Sequence, residues 1–204
     1  MKFAIIYTPF LEQHPYIIEQ AKKYFDKVLA VPIEGIRYEY DDDNVPKVMY
    51  KGTDLSEFDV VFPRLAGNDL LFGEQLVEIL NESGVYTQMD SDSFAIASNK
   101  FHTMKMLSQS GLNTPHFTYS VSTETASQSA KDIGYPVIIK LISGYGGKGI
   151  MRAKTDSELR PIIDTLEVFE QDICLQDYIE NPGEDIRIIV IGEDTYSYKR
   201  VGLD

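Results

Sequence analysis

The segment Lys140-Leu141-Ile142-Ser143-Gly144-Tyr145-Gly146-Gly147-Lys148-Gly149 sets four glycines within six positions beside two lysines. Glycines let the backbone approach a ligand closely with its N–H groups free, and ammonium groups supply countercharge, so the pattern suits a polyphosphate. Lys140 closes an otherwise apolar run of Val137, Ile138 and Ile139, which directs its ammonium into a cleft. Gly144, Gly146 and Gly149 also spell G-x-G-x-x-G. A dinucleotide fingerprint needs a helix directly afterwards, whereas Ile150-Met151-Arg152-Ala153 has the pattern of a strand. A P-loop needs a glycine five positions before Gly147 and a Ser or Thr after Lys148, and the chain has neither. What remains is a glycine-rich turn joining two antiparallel strands and acting as a flap over phosphates. The plain alternative is a mobile hairpin with a surface lysine. A dinucleotide-dependent oxidoreductase would rest on the glycine spacing alone.

Other polar residues carry weaker signals. Asp185 and Arg187 share one face of an extended strand, so one edge can present both charges to a ligand. A structural ion pair explains them equally well. Lys199 and Arg200 point to opposite faces, so at most one enters a site. Cys174 lies in an apolar run and reads as a packing thiol. His14, His102 and His116 lack the spacing of a zinc site, and Asp41-Asp42-Asp43-Asn44 reads as a solvated turn. No metal-ligand set is therefore expected within residues 1–204.

These residues must be positioned by a folded scaffold, and the composition supports one. The 204 residues are 43% hydrophobic, enough for a packed core, and carry 19 Lys plus Arg against 32 Asp plus Glu, a net charge of −13. Such a charge repels a phosphate backbone at long range, which argues against a general nucleic-acid binder and leaves any anion to a local cation cluster. The longest apolar runs fall far short of the ~20 residues that span a bilayer, so no membrane partner is expected. The first residues read as a strand rather than a leader peptide. A single cysteine fits a reducing compartment, and the expected location is cytoplasmic.

Along the chain, strands at residues 2–8, 28–31, 58–63 and 85–88 alternate with helices at 15–25 and up to Gly84, the pattern of a parallel Rossmann-like sheet. Residues 36–51 interrupt it as an exposed hairpin. A short helical turn at 91–97 leads to a helix capped by Ser98 that begins at Asn99 and stops at Gly111. Beyond a boundary near 92–98 the order changes to an α+β arrangement. It runs strand 117–119, helix 123–133, strand 136–141, glycine loop, strand 150–153, helix 156–167, and strands 173–178, 185–191 and 195–201. The last two are joined by a hairpin turn at Gly192-Glu193-Asp194. The expected fold is an α/β domain at 1–95 followed by an α+β domain at 96–204.

Taken in order, several motifs resemble the ATP-grasp superfamily, and within it the RimK-like carboxylate–amine ligases. They are Ser98-Asn99-Lys100, Gly111-Leu-Asn-Thr114-Pro115, Gly134-Tyr135-Pro136 leading to Lys140, the glycine loop, Gln176-Asp177-Tyr178-Ile179 and Asp185-Ile186-Arg187. Asp59-Val-Val-Phe-Pro63-Arg64 resembles the preceding domain of that group. The resemblance implies a pre-ATP-grasp Rossmann-like domain followed by an ATP-grasp domain. It implies that Lys100 and Lys140 contact ATP phosphates, Lys140 also reaching the adenine edge. Gly144, Tyr145, Gly146, Gly147, Lys148 and Gly149 would close over the phosphates. Gln176, Asp177, Tyr178 and Ile179 would form the hinge that reads adenine, Asp177 replacing the usual Glu. Asp185 would lie near the ribose, and Arg187 and Arg200 would face the γ-phosphate or the acyl group as catalytic residues. Arg64 is a candidate contact of the acceptor, with a surface arginine at a strand end as its alternative. The implied reaction is ATP-dependent amide formation through an acylphosphate, joining an amino acid such as glutamate to a protein or small-molecule carboxylate. Its Mg²⁺ ligands fall beyond the position matching Asp204, so the ATP-grasp domain is expected to be C-terminally incomplete and weakly active. A non-catalytic nucleotide-binding module is the competing reading. Relatives often assemble as homo-oligomers.

Overall fold

The computed structural model describes residues 1–11, 14–142, 148–180 and 183–202. The first sheet is built on β1 (Lys2–Tyr7), with β2 (Lys27–Pro32) and, later in the chain, β6 (Val60–Arg64) on either side, all parallel. β1 is apolar throughout because both of its faces are covered. Phe3 and Ile5 pack with Ile17 and Ile18 of α1 (His14–Ala21), while Ala4 and Ile6 pack with Leu76 and Leu80 of α2 (Leu70–Glu82). α1 is shorter than the expected 15–25 helix, residues 22–24 closing it in a turn. The chain leaves β1 for β2 on one side and returns to β6 on the other. The crevice between the carboxyl ends of β1 and β6 is therefore a topological switch point, where open parallel sheets bind ligands. Thr8 ties that crevice together: its N–H donates to the Arg64 carbonyl at 3.1 Å, its hydroxyl donates to Asp69 Oδ2 at 2.6 Å and accepts from Ala66 N at 3.1 Å.

Between β2 and β6 lies a meander of β3 (Ile36–Tyr40), β4 (Pro46–Tyr50) and β5 (Thr53–Asp54). Its acidic turn is satisfied internally. Asp41 accepts from the N–H groups of Asp43 and Val45 at 3.0 and 2.9 Å and pairs with Lys47 at 3.3 Å. The strand expected at 85–88 reduces to one parallel bridge, Val60↔Tyr86. Beyond that bridge the side chains of Thr87 and Gln88 donate to the Met89 and Pro63 carbonyls. The expected helical turn is a full helix, α3 (Ser91–Ser98), capped by Asp90, and Phe94 packs where Gly73 of α2 leaves room. α4 (Lys100–Gln109) starts one residue later than expected. Asn99 rather than Ser98 caps it, accepting from Phe101 N and His102 N at 2.9 and 3.2 Å, because Ser98 is still the last residue of α3.

The second sheet contains β7 (Phe117–Ser120), β8 (Val137–Lys140), β9 (Ile150–Ala153) and β10 (Ile173–Asp177), in the antiparallel order β7-β10-β8-β9. α5 (Thr123–Ile133) and α6 (Asp156–Val168), capped by Ser122 and Thr155, cover one face. Val137, Ile139, Ala153, Ile173 and Leu175 point to that face and join Ala126, Ala130, Leu159, Ile163 and Leu166. By the two-residue period of a strand, Ile138, Lys140, Cys174 and Gln176 fall on the other face. β8 and β9 flank the glycine segment as expected. Their ladder extends to Leu141 N donating to the Gly149 carbonyl at 2.9 Å. Gly149 has φ 78°, and a Cβ there would lie 3.0 Å from Leu141 Cβ. Gly149→Ala is expected to cost about 1–2 kcal/mol, read as a lower urea midpoint; an unchanged midpoint would show that the turn relaxes freely.

The chain ends in a hairpin of β11 (Glu184–Ile191) and β12 (Asp194–Val201), turning at Gly192 and Glu193. Ile186, Ile188 and Val190 lie on one face, Ile189, Ile191, Tyr196 and Tyr198 on the other, yet residues 185–202 are all exposed. The two strands form the expected hairpin, and none of residues 185–202 is buried.

Candidate functional site

Two lysines meet on the face of the second sheet opposite α5 and α6. Lys140, at the end of β8, stands directly opposite Cys174 and donates to Gln176 Oε1 at 2.5 Å. Lys100, the first residue of α4, reaches across to donate to the Ile142 carbonyl at 2.7 Å. Both are held below the ordinary lysine value, burial being the main cause. The Lys140 charge lowers Lys100 further, and Cys174 opposes the shift in both. Burial pushes the Cys174 thiol up to about 11 despite both lysines, so it is a neutral wall residue and not a nucleophile. Two partly desolvated ammonium groups within electrostatic reach are stabilised by a shared anion.

This gives a pH dependence with a defined sign. Because the folded protein holds these protons less tightly than the unfolded chain, stability rises with pH between the lowered lysine values and 10.5. An anion bound between them reverses the preference, so binding takes up protons above neutral pH. Calorimetry of tripolyphosphate in buffers of different ionisation enthalpy should read that uptake. Binding without proton exchange in alkaline buffer would contradict the placement.

The other expected residues distribute differently. Asp177 closes β10, donating its N–H to the His116 carbonyl at 3.1 Å, and its Oδ1 is buried with no hydrogen-bond partner among the described residues. The Tyr178 ring lies 5.3 Å below the Arg152 guanidinium, and Ile179 is exposed. Lys148 is exposed beside Gly149, while Gly144, Tyr145, Gly146 and Gly147 lie outside the described residues. Asp185 and Arg200 pair across the terminal hairpin, Arg200 Nε donating to Asp185 Oδ1 at 2.7 Å, with Arg187 on the same face. This is the ion-pair alternative of the sequence reading, and the structure does not bury Asp185, Arg187 or Arg200 beside the lysines. Among the described residues there is no group of three or more His, Cys, Asp or Glu able to hold a metal ion. No helix among them is long and apolar enough to cross a membrane.

Beside Lys100 opens a cavity of about 540 Å³ between the switch-point crevice and the second sheet. Residues 62–67, Gln88, Met89, Phe94, Lys100 and Ile142 line it. A smaller cavity of about 310 Å³ shares Gly67, Leu70, Ser98 and Ile142 and adds Glu74 and His102. Arg64, at the end of β6, is thus a wall residue with its Nε shielded from solvent, rather than a surface arginine. Gln88 and Ile142 were not singled out from the sequence. Gln88 lay in an expected strand, and Ile142 contributes only a backbone carbonyl, which leaves no trace in residue type.

Comparison with known proteins points the same way. The model of the RimK-like ATP-grasp domain matches residues 97–203, more than half of the chain. A probable alpha-L-glutamate ligase of Maridesulfovibrio salexigens is 31% identical over 162 residues, covering 78% of this chain and 54% of that protein. Another, of Syntrophotalea carbinolica, is 28% identical over 149 residues, covering 72% of this chain and 50% of that protein. The chain thus spans about half the length of the curated relatives it matches. Among solved structures, a RimK domain ATP-grasp protein of Sphaerobacter thermophilus superposes with TM-score 0.71 at 12% identity, over 93% of this chain and 69% of that one. D-alanyl-alanine synthetase A of Vibrio cholerae gives 0.69 at 14% identity, over 96% and 65%. These similarities share the ATP-grasp fold.

Proposed function

Because the chain belongs to the RimK-like ATP-grasp family, we propose that it forms the nucleotide-binding and acceptor-binding part of an ATP-dependent carboxylate–amine ligase. The observation that carries this reading is that Lys100, which lies within electrostatic reach of Lys140 on the same face of the second sheet, also lines the cavity that Arg64 lines, both lysines being partly buried. Phosphates held by the lysines would lie beside a carboxylate held in the cavity. In the proposed reaction a carboxylate oxygen attacks the γ-phosphorus, and the bond to the β-bridging oxygen breaks, leaving ADP and an acylphosphate. The amine of an amino acid such as glutamate then attacks the acyl carbon, phosphate leaves, and the amine gives up its proton. The contribution of the lysines is positioning and charge stabilisation.

The nucleotide fits the remaining residues. The backbone of Gln176, Asp177, Tyr178 and Ile179 is proposed to read the adenine amine at the end of β10. Magnesium would neutralise phosphate charge, but no described cluster fits it, and its ligands are proposed outside residues 1–204. Arg187 and Arg200 are proposed to act once the hairpin joins a larger sheet. The two proposed domains, 1–95 and 96–204, each have buried clusters of their own, and the single cysteine supports a cytoplasmic location. The exposed hairpin favours a second reading, a nucleotide-binding module without turnover.

Calorimetry of ATP against the folded chain, with and without Mg²⁺, tests the proposal. ADP release on adding glutamate and a carboxylate would separate the ligase from the module. A folded chain that takes up no ATP under either condition would refute both.

A further inference from the structure

The pairing of β8 with β9 places a second pattern on the lysine face, one that phosphate binding does not explain. Lys140 stands opposite Ile150 and Ile138 opposite Arg152, so cations occupy one diagonal of the two strands and isoleucines the other. Diagonal neighbours in an antiparallel pair are about 7–8 Å apart, which sets Arg152 within the span of one nucleotide from Lys140. Ile150 is 51% exposed and Ile138 is half-buried, and neither belongs to the core beneath α5 and α6. Arg152 is exposed yet held in place. Its guanidinium carbon lies 5.3 Å from the centre of the Tyr178 ring, which it reaches across β8, the strand between β9 and β10. Arg37, Arg160 and Arg200 each pair with a carboxylate, whereas the Arg152 side chain makes no ion pair or hydrogen bond among the described residues. In a chain with 32 acidic residues, a guanidinium resting on an aromatic ring instead of a carboxylate keeps its charge and its donors for a ligand.

From this arrangement we propose that Arg152 is a further binding residue of the site and that it contacts the nucleobase, not the phosphates. Ile138 and Ile150 supply apolar surface for a purine. The guanidinium, oriented by Tyr178, stacks on the ring, while Lys140 at the other end of the diagonal takes the phosphates. Stacking needs a planar cation, so lysine does not replace arginine here although it carries the same charge. The inference rests on the nucleotide part of the ligase reading and adds what covers the base.

The test compares ATP with inorganic tripolyphosphate, which has the phosphates without the base. Both are titrated by calorimetry into the 204-residue chain, Arg152→Lys and Arg152→Leu, with a thermal melt of each protein. Arg152→Lys should weaken ATP binding roughly 3- to 30-fold, the scale of one cation–π contact, and leave tripolyphosphate affinity unchanged. Arg152→Leu should lower the ratio of the two affinities at least as far. Because the side chain is exposed, the three melts should coincide. An unchanged ratio in Arg152→Lys overturns the proposal. So does ATP affinity that lysine restores and leucine does not, which would make Arg152 a phosphate cation. Weakened ATP binding accompanied by a lowered melting temperature in both variants also overturns it, since the contact with Tyr178 would then be structural. Wild-type binding of neither ligand removes the nucleotide reading together with this inference, whereas wild-type ATP binding with an unchanged ratio removes only the role of Arg152.

Discussion

Lys140→Met should weaken ATP binding about 30- to 150-fold, the loss of about 2–3 kcal/mol expected when a charge-assisted contact to phosphate is removed. Met keeps the length and apolar stem of the side chain, so the packing on β8 is retained. The unfolding free energy should change little, because two local effects oppose each other. Gln176 Oε1 loses its donor, but a partly buried charge that the fold already disfavours is also removed. The proton uptake on tripolyphosphate binding should fall in the same variant. The measurement is calorimetry with ATP beside a thermal melt. Affinity within threefold of wild type would remove Lys140 from the phosphate site, and a large fall in melting temperature would recast it as a structural residue.

Leu175→Ala is expected to lower stability by about 2–5 kcal/mol, the usual range for a leucine deleted from a closed core. Leu175 is fully buried among Ile139, Ala126, Leu159 and Ile163 beneath α5 and α6. Its neighbour Cys174 is equally buried but faces the lysines, and Cys174→Ala removes only one sulfur from a wall that is not part of that core. Urea unfolding should therefore separate two adjacent residues sharply. ATP affinity measured well below the transition should remain intact in Leu175→Ala. Similar losses in both variants would mean that the two faces of β10 are not as distinct as the pairing register implies.

The contrast between those neighbours marks what was legible before folding. Alternation on β8 and β10 is a local property of extended backbone: successive side chains point to opposite faces. Once Lys140 marks the outer face, the two-residue period puts Val137, Ile139, Ile173 and Leu175 on the core face, although Ile138 and Cys174, equally apolar, lie on the other. The strands on either side of the glycine segment were equally readable, and Gly149 adopts a φ of 78° that favours glycine. Helix caps were legible only to within a residue, as Asn99 and Ser98 are both competent and the extent of α3 chose between them.

What meets across the chain was decided by tertiary structure. Lys100 and Ile142 are 42 residues apart, and Lys140 and Gln176 are 36 apart. The order β7-β10-β8-β9 brings the second pair together, and the packing of α4 beside that sheet brings the first; no local pattern encodes either. Arg64 changed meaning most, because the crevice it closes exists only after the chain reverses direction between β2 and β6. Gln88 was invisible for the same reason: its contact with the Pro63 carbonyl joins residues 25 apart. The terminal hairpin is the converse case. Its local code for strands, apolar on both faces, is satisfied in β11 and β12, but burial is a property of neighbours, and the described residues leave it exposed. Sequence alone determined the elements and their faces, since those follow from backbone period; folding alone determined the cavity and the lysine pair, since those follow from which distant elements share space.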